Sequence, residues 1–294
     1  MMNMANKQCW LLYDAPDLAV NRDYAALMRE TGLRHGLDVE AVTLQELTFG
    51  MDATGQPTLL RGGSPTRPAA VLSRMRYDWV SEHLERMGIP VFNNSRVCRI
   101  CNDKRRTHLF LQGLPMAETV FLDGAFGPAD APAVWPRILK PADGHGGESV
   151  QLISDEPCWR AAMASLNHGR PALHQAVVDQ PGRDLRVYVL FGQILAGVMR
   201  TAKAGVISNF KLGGSVELHP LTEAERTLAG AVIRRFEEAG APLCMAGVDL
   251  LYTGNGPVIS EVEDVVGSRM LYQVSDIDLV NLYLKGIAER IGVL

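Results

Sequence analysis

Several features that would settle a function class at once are missing from this chain. No block of Lys and Arg occurs in either half, and a net charge of -4 with a pI near 6.0 gives no electrostatic case for nucleic acid or an anionic membrane. No apolar stretch approaches the length of a membrane span. The opening MMNMANKQCWLLYD has one Lys and an apolar run cut short by Asp14, so it reads as neither a signal peptide nor an anchor. A cytoplasmic protein is the expectation. Cysteine is sparse: five residues, an odd number scattered through 294, argue against a disulfide framework and suit a reducing compartment. Cys98 and Cys101 form a CxxC, but no second pair or His cluster follows at zinc-like spacing, which favours structural thiols over a redox or metal role. A dinucleotide fingerprint is absent too. The first expected strand runs into YDAPDLAVN without GxGxxG, which counts against a two-domain oxidoreductase.

What is present is ordinary globular material, 47% hydrophobic and 21% charged, long enough for two or three domains. Strands expected at residues 8–13, 38–42, 69–73 and 90–92 alternate with helices at 21–35 and 79–87, a spacing that implies a parallel sheet ending near Asn94. Asn102 is a candidate cap for a helix over 103–112, with Gly113 as its stop. Lys104, Arg105 and Arg106 fall in its first turn, where the helix dipole disfavours cations; either something anionic compensates or the turn is merely solvated. The strand VWPRILKP carries Lys140 into ADGHGGESV, whose Gly144, Gly146 and Gly147 free the backbone to turn N–H groups toward a ligand, as phosphate-cradling loops do. It joins strand to strand and lacks GxxxxGK, so it is not a P-loop. Strands at 172–178, 185–191 and 194–201 follow, the last two nearly continuously apolar and so expected to be buried on both faces, with Asp184, Arg186 and Arg200 at their rims. Residues 201–216 are rich in small residues and suit a loop that closes over a site. Thr222 with Glu225, and Ser275 with Asp278, read as capping boxes for helices over 223–239 and 277–291.

The most telling stretch is MAGVDLLYTGNGPVISEVEDVVGSRML, residues 245–271. It reads as two strands around the turn TGNG, and alternation puts Glu261 and Glu263 on one face and Val262 on the other. Asp249 sits alone among Val248, Leu250 and Leu251, and a buried lone acid needs a partner. Three converging carboxylates repel unless a cation lies between them, and hard divalent cations prefer oxygen, which points to a Mg²⁺ site. A hairpin with acids on its wet face is the plainer alternative.

Four segments in this order resemble the ATP-grasp superfamily, in the branch of RimK-type glutamate ligases and glutathione synthetase-like enzymes: NDKRRTHLFLQGLPMAET, ILKPADGHGGESV, LHQAVVDQPGRDLRVYV with GVMRTAKAG and ISNFKLGGS, and AGVDLL with ISEVEDVVGSRML. They span about residues 90 to 272. The resemblance implies an α/β fold: a Rossmann-like N-terminal domain over 1–94, a central lid subdomain with the glycine loop over 95–179, and a C-terminal ATP-grasp subdomain over 180–294. It further implies that Lys104 and Lys140 hold ATP phosphates, with Gly144, Gly146 and Gly147 folding over them. The backbone from Gln175 through Ala176 and Val177 to Val178 would read adenine, with Asp184 by the ribose or that hinge. Arg200 and Asn209 would face the transferred phosphate, while Asp249, Glu261 and Glu263 would hold Mg²⁺, or Mn²⁺ in its place. The implied activity is a carboxylate–amine ligase acting on small-molecule substrates through an acylphosphate, with homo-oligomerisation left open; the alternative is a nucleotide-binding homologue without catalysis. Three departures stand out. Glu263 occupies a position usually Asn, His145 one usually Ser or Thr, and Val206, Ile207 and Leu212 replace arginines common in the glutamate ligases. The nucleotide side is thus the retained one, and at least one substrate is expected to be less acidic than glutamate.

Overall fold

The computed structural model describes residues 6–123, 130–145, 149–165, 170–203, 205 and 214–294. It opens with β1 (Lys7–Tyr13), α1 (Ala15–Val20), α2 (Arg22–Arg34) and β2 (Leu37–Thr43). A small antiparallel sheet of β3 (Leu47–Met51), β4 (Pro57–Arg61) and β5 (Ser64–Pro65) follows, then β6 (Ala70–Ser73), α3 (Asp78–Arg86) and β7 (Val91–Phe92). The main strands form a parallel sheet of order β2-β1-β6-β7. Along β1, Cys9, Leu11 and Tyr13 enter one core while Trp10 and Leu12 enter another, because a parallel strand is covered on both faces. This is why QCWLLY is apolar without alternation.

The chain continues through α4 (Ser95–Cys101), α5 (Lys104–Phe110), β8 (Thr119–Leu122), β9 (Arg137–Pro141), β10 (Gln151–Ile153), α6 (Glu156–Ser165) and β11 (Ala172–Ala176), the strands forming an antiparallel sheet of order β10-β9-β11-β8. The helix expected over 103–112 is α5, and a second helix that the sequence did not announce, α4, precedes it. Asn94 caps α4 and Asp103 caps α5, each side chain accepting from a first-turn N–H, whereas Asn102 closes α4 and turns its amide to Asp264. A side chain committed to a tertiary partner is not available to cap its own helix.

A second antiparallel sheet, of order β14-β13-β12-β15-β16, is built from β12 (Arg183–Leu190), β13 (Gln193–Thr201), β14 (Ser215–His219), β15 (Met245–Thr253) and β16 (Gly256–Glu263). Helix α7 (Glu223–Glu238) opens with the expected capping box and lays Leu228, Val232 and Phe236 on this sheet. After β16 come α8 (Arg269–Val274), which sequence reading did not anticipate, and α9 (Leu279–Arg290), capped by Asp278 alone. The parallel sheet and this C-terminal region share one core, in which Leu11 and Met28 join Tyr188, Leu271 and Leu284. Asn93 stitches the two polar frameworks together: its amide donates to Met245 O and Asp264 O, both at 2.9 Å, and its oxygen accepts from Cys244 N at 2.7 Å. Both ends of the acidic hairpin are thereby anchored to the end of β7. Among the described residues no helix is long and apolar enough to cross a membrane.

Candidate active site

The five-stranded sheet has two unlike faces. Leu185, Val187, Met199, Val248, Leu250, Ile259 and Val262 point to α7. By alternation Asp184, Arg186 and Tyr188 of β12 point the other way. Cross-strand register places Arg186 opposite Asp249, Asp184 opposite Arg200, and Asp249 opposite Glu261. Strict alternation from Ile259 would send Glu261 toward α7, but the pairing of β15 with β16 shifts between Asp249 and Leu250, leaving Ser260 as an extra residue. That bulge brings Glu261 and Glu263 onto the face of Asp249.

The side chains on this face form one network. Arg186 binds Asp249 in a fork, Nε to Oδ1 at 2.8 Å and Nη2 to Oδ2 at 2.6 Å, and its Nη2 also lies 2.8 Å from Glu263 Oε1. Arg200 Nη2 donates to Asp249 Oδ2 at 2.6 Å and to Asp184 Oδ2 at 2.8 Å. Lys104, at the start of α5, places Nζ 3.1 Å from Glu261 Oε2 and donates to Gly144 O. Lys140 comes from β9 opposite Leu173 and is buried. Four carboxylates (Asp184, Asp249, Glu261, Glu263) thus meet four cations (Lys104, Lys140, Arg186, Arg200).

Burial disfavours every charge here, and the partners decide which survive. Against burial, Arg186 and Arg200 hold Asp249 well below the usual carboxylate range. Burial also raises Glu261, but Lys104 and Lys140 bring it net below normal. For Glu263 burial wins over Arg186, and its pKa is raised. Burial, with the like charge of Lys104, pulls Lys140 down to about 8, against the opposing pull of Glu261. His108 is lowered to about 4 by burial and by the charges of Lys140 and Lys104, and is neutral near pH 7.

Asp249, Glu261 and Glu263 each offer an oxygen within 4.8 Å of the others, the one group of three or more such ligands among the described residues. An all-oxygen, all-carboxylate set fits Mg²⁺. Cys98 and Cys101 are not part of it. They lie on α4 with thiols that burial pushes up, as structural cysteines do.

Of the residues singled out from sequence, Lys104, Lys140, Asp184, Arg200, Asp249, Glu261 and Glu263 are brought together, with Gly144 at their edge through its carbonyl. Gln175 is buried in β11 and donates to Thr119 Oγ1 at 2.8 Å; Ala176 ends that strand, and Val177 and Val178 follow half-buried. Gly146, Gly147, Asn209, Val206, Ile207 and Leu212 lie outside the described residues. The rim position expected for Arg186 is wrong: it is 4% exposed, in the middle strand of the sheet. Its importance was overlooked, although a lone cation in LRVYVL carries the same signal as the lone acid in VDLLY. The first-turn cations of α5 are compensated within the protein, Lys104 by Glu261, and Arg105 by Asp103 at 2.8 Å and Asp123 at 2.9 Å.

Residues 131–287 match the RimK-like ATP-grasp domain. The chain belongs to this family. A relative from Parasynechococcus marenigrum (strain WH8102), named a probable alpha-L-glutamate ligase, is 28% identical over 298 residues, covering 96% of this chain. The chain spans 62% of that relative's length. The ATP-grasp fold is shared with D-cycloserine synthetase DcsG, at TM-score 0.73 and 19% identity, covering 97% of this chain and 99% of that one. It is also shared with the ATP-grasp ligase PsnB, solved with a precursor variant, Mg and ADP, at TM-score 0.67 and 16% identity over 98% of both chains.

Proposed function

We propose that this protein is an ATP- and Mg²⁺-dependent ligase that joins a small-molecule carboxylate to an amine. The observation that carries this reading is the acid triad Asp249, Glu261 and Glu263 set among Lys104, Lys140, Arg186 and Arg200 on one buried sheet face. A site already balanced between four acids and four cations takes up a triphosphate best together with the nucleotide's own metal countercations. Residues 1–94 serve as the Rossmann-like platform, 95–179 as the lid bearing the glycine loop, and 180–294 as the subdomain bearing the metal site.

Lys104 and Lys140 bind phosphate oxygens, Lys104 exchanging Gly144 O for the nucleotide. Gly146 and Gly147 cover the phosphates, the backbone from Gln175 to Val178 receives adenine, and Asp184 holds Arg200. Arg200 and Asn209 orient the transferred group. The three acids hold Mg²⁺, or Mn²⁺ with the same oxygen preference. When bound, the metal screens phosphate charge during transfer. The substrate carboxylate oxygen attacks the γ-phosphorus, the bond to the β–γ bridging oxygen breaks, and ADP leaves. The amine then attacks the acyl carbon, forming C–N and breaking the bond to phosphate; its proton passes to the departing phosphate or to water. Activation is needed because a carboxylate oxygen is a poor leaving group.

ADP release measured over paired carboxylates and amines tests the reading, with hydroxylamine added to trap the acylphosphate as a hydroxamate. Mg²⁺-dependent hydroxamate and amide formation is expected. No ADP release above background with any pair would favour the nucleotide-binding homologue without catalysis.

A further inference from the structure

Helix α5 brings a second side chain into the site that the reaction steps leave unused. His108 stands four residues beyond Lys104, so both fall on one face of the helix, the face that sends Lys104 to Glu261 at 3.1 Å. The imidazole is 6% exposed. It meets Phe121 of β8 edge-on, with ring centroids 6.1 Å apart and planes at 87°. Phe121 and Lys140 both pair with Leu173 of β11, from opposite sides, so all three lie on one face of that sheet. On its other side the ring has the backbone of Ser260, the bulge residue beside Glu261. His108 is therefore wedged where α5, the β9–β11–β8 strands and the acidic hairpin come together.

Two polar groups at this junction are left over. Nε2 of His108 is buried without a hydrogen-bond partner. A neutral imidazole has one N–H, and the hydrogen bond to the Ser260 backbone uses it, so Nε2 presents a lone pair. Lys140 is buried too and, unlike Lys104, holds no carboxylate in an ion pair among the described residues. Its ammonium has three N–H donors, more than one phosphate oxygen can answer. Each group lacks what the other offers: a donor short of acceptors faces an acceptor short of a donor. Acid–base work does not suit the ring, because Lys104 and Lys140 oppose a proton on it.

We infer that His108 is a positioning residue for the nucleotide: its Nε2 accepts one hydrogen bond from the Lys140 ammonium in the ATP-bound protein and turns the remaining donors toward phosphate. The inference rests on the proposed function, in which Lys140 binds phosphate, and gives that lysine a direction. A lysine by itself acts on phosphate as a point charge on a flexible four-carbon stem. The contacts with Phe121 and Ser260 hold the ring, so the direction of the acceptor is set before the nucleotide arrives.

Calorimetry of ATP binding to the full chain in Mg²⁺, arranged as a double-mutant cycle, tests this. His108→Phe keeps a ring against Phe121 and removes the acceptor; ATP should bind roughly tenfold more weakly, as expected for one hydrogen bond to a charged group. His108→Gln, whose side-chain oxygen can take the place of the Nε2 acceptor, should recover most of that loss. In the Lys140→Met background, His108→Phe should change affinity by less than about twofold, because the bond it removes is already gone. A ring that only filled space would cost the same in both backgrounds, and Gln would not recover the loss; either result overturns the inference. His108→Leu takes the place of His108→Phe should that variant not fold. Weakened binding in Lys140→Met beside wild-type affinity in His108→Phe would remove the role of His108 and leave the proposed function standing. No ATP binding by the wild-type protein, or unchanged affinity in Lys140→Met, would remove the phosphate role of the lysine and this inference with it.

Discussion

The two faces of the five-stranded sheet are both turned inward and differently held. Toward α7, Val187, Val248, Leu250 and Val262 interdigitate with Leu228, Val232 and Phe236, so stabilisation grows with apolar area and no single geometry is required. Toward the acid triad, Arg186 and Asp249 are 4% and 2% exposed, and each charge is tolerated only because a specific partner stands within hydrogen-bond reach. The first face loses stability in step with the apolar volume removed and responds to no solute. The second face exists in a balance that metal and nucleotide can re-partner.

Breaking that balance should give the largest effect. Arg186→Met leaves Glu263 without its cation and strips the fork from Asp249, so unfolding in denaturant without divalent cations should lose about 3–5 kcal/mol. Mg²⁺ at millimolar concentration should return a substantial part of the loss. On the opposite face, Leu250→Ala should cost about 2–5 kcal/mol through transfer and cavity terms, and Mg²⁺ should not return it. If Mg²⁺ rescues both variants alike, or neither, the distinction between the faces is wrong. Glu261→Gln keeps shape and removes one ligand charge; ADP release at saturating Mg²⁺ should fall at least about a hundredfold, or roughly 2.7 kcal/mol, in a protein that still folds. Turnover like that of the wild type would dismiss the triad as the metal site.

Lys140 sharpens the comparison by pH. Lys140→Met should weaken ATP binding by about 1.5–3 kcal/mol, the range for a hydrogen bond to a charged group, as read by calorimetry. Burial holds the lysine at about 8, below its ordinary 10.5, so it is charged at pH 7 and loses its proton as pH rises through 8. Bound phosphate favours the charged form and raises that pKa. ATP binding near pH 8 should therefore take up protons, visible as a dependence of heat on buffer ionisation, and affinity should fall from pH 7 to pH 9. The variant should show neither effect. Proton release on binding would place the phosphates elsewhere.

Much of this was legible in residue order. The period of two and the turn TGNG announce the β15–β16 hairpin, and the lone acid in VDLLY announces a site, because a buried charge without a partner is costly wherever the strand lies. The same rule applied to LRVYVL would have found Arg186. The reading of near-continuous apolarity as burial on both faces was half right: both faces are buried, but one is lined by ions. Asn102 misled because its capping signal is local and its actual partner, Asp264, lies 162 residues away.

What the sequence determined by itself was composition, element type and the chemistry on offer, since these follow from neighbours along the chain: which strands are apolar, where glycine permits a turn, which acids and lysines exist to be used. What only the tertiary structure decided was who meets whom. The bulge at Ser260 chooses the face of Glu261, Asn93 ties both ends of the acidic hairpin to β7, and the register of β12 on β15 aims Arg186 at Asp249. The physical reason is range. Propensity and periodicity act over a few residues, whereas an ion pair in a low-dielectric interior depends on distances of a few ångströms between segments far apart in the chain, set by the packing of the whole molecule.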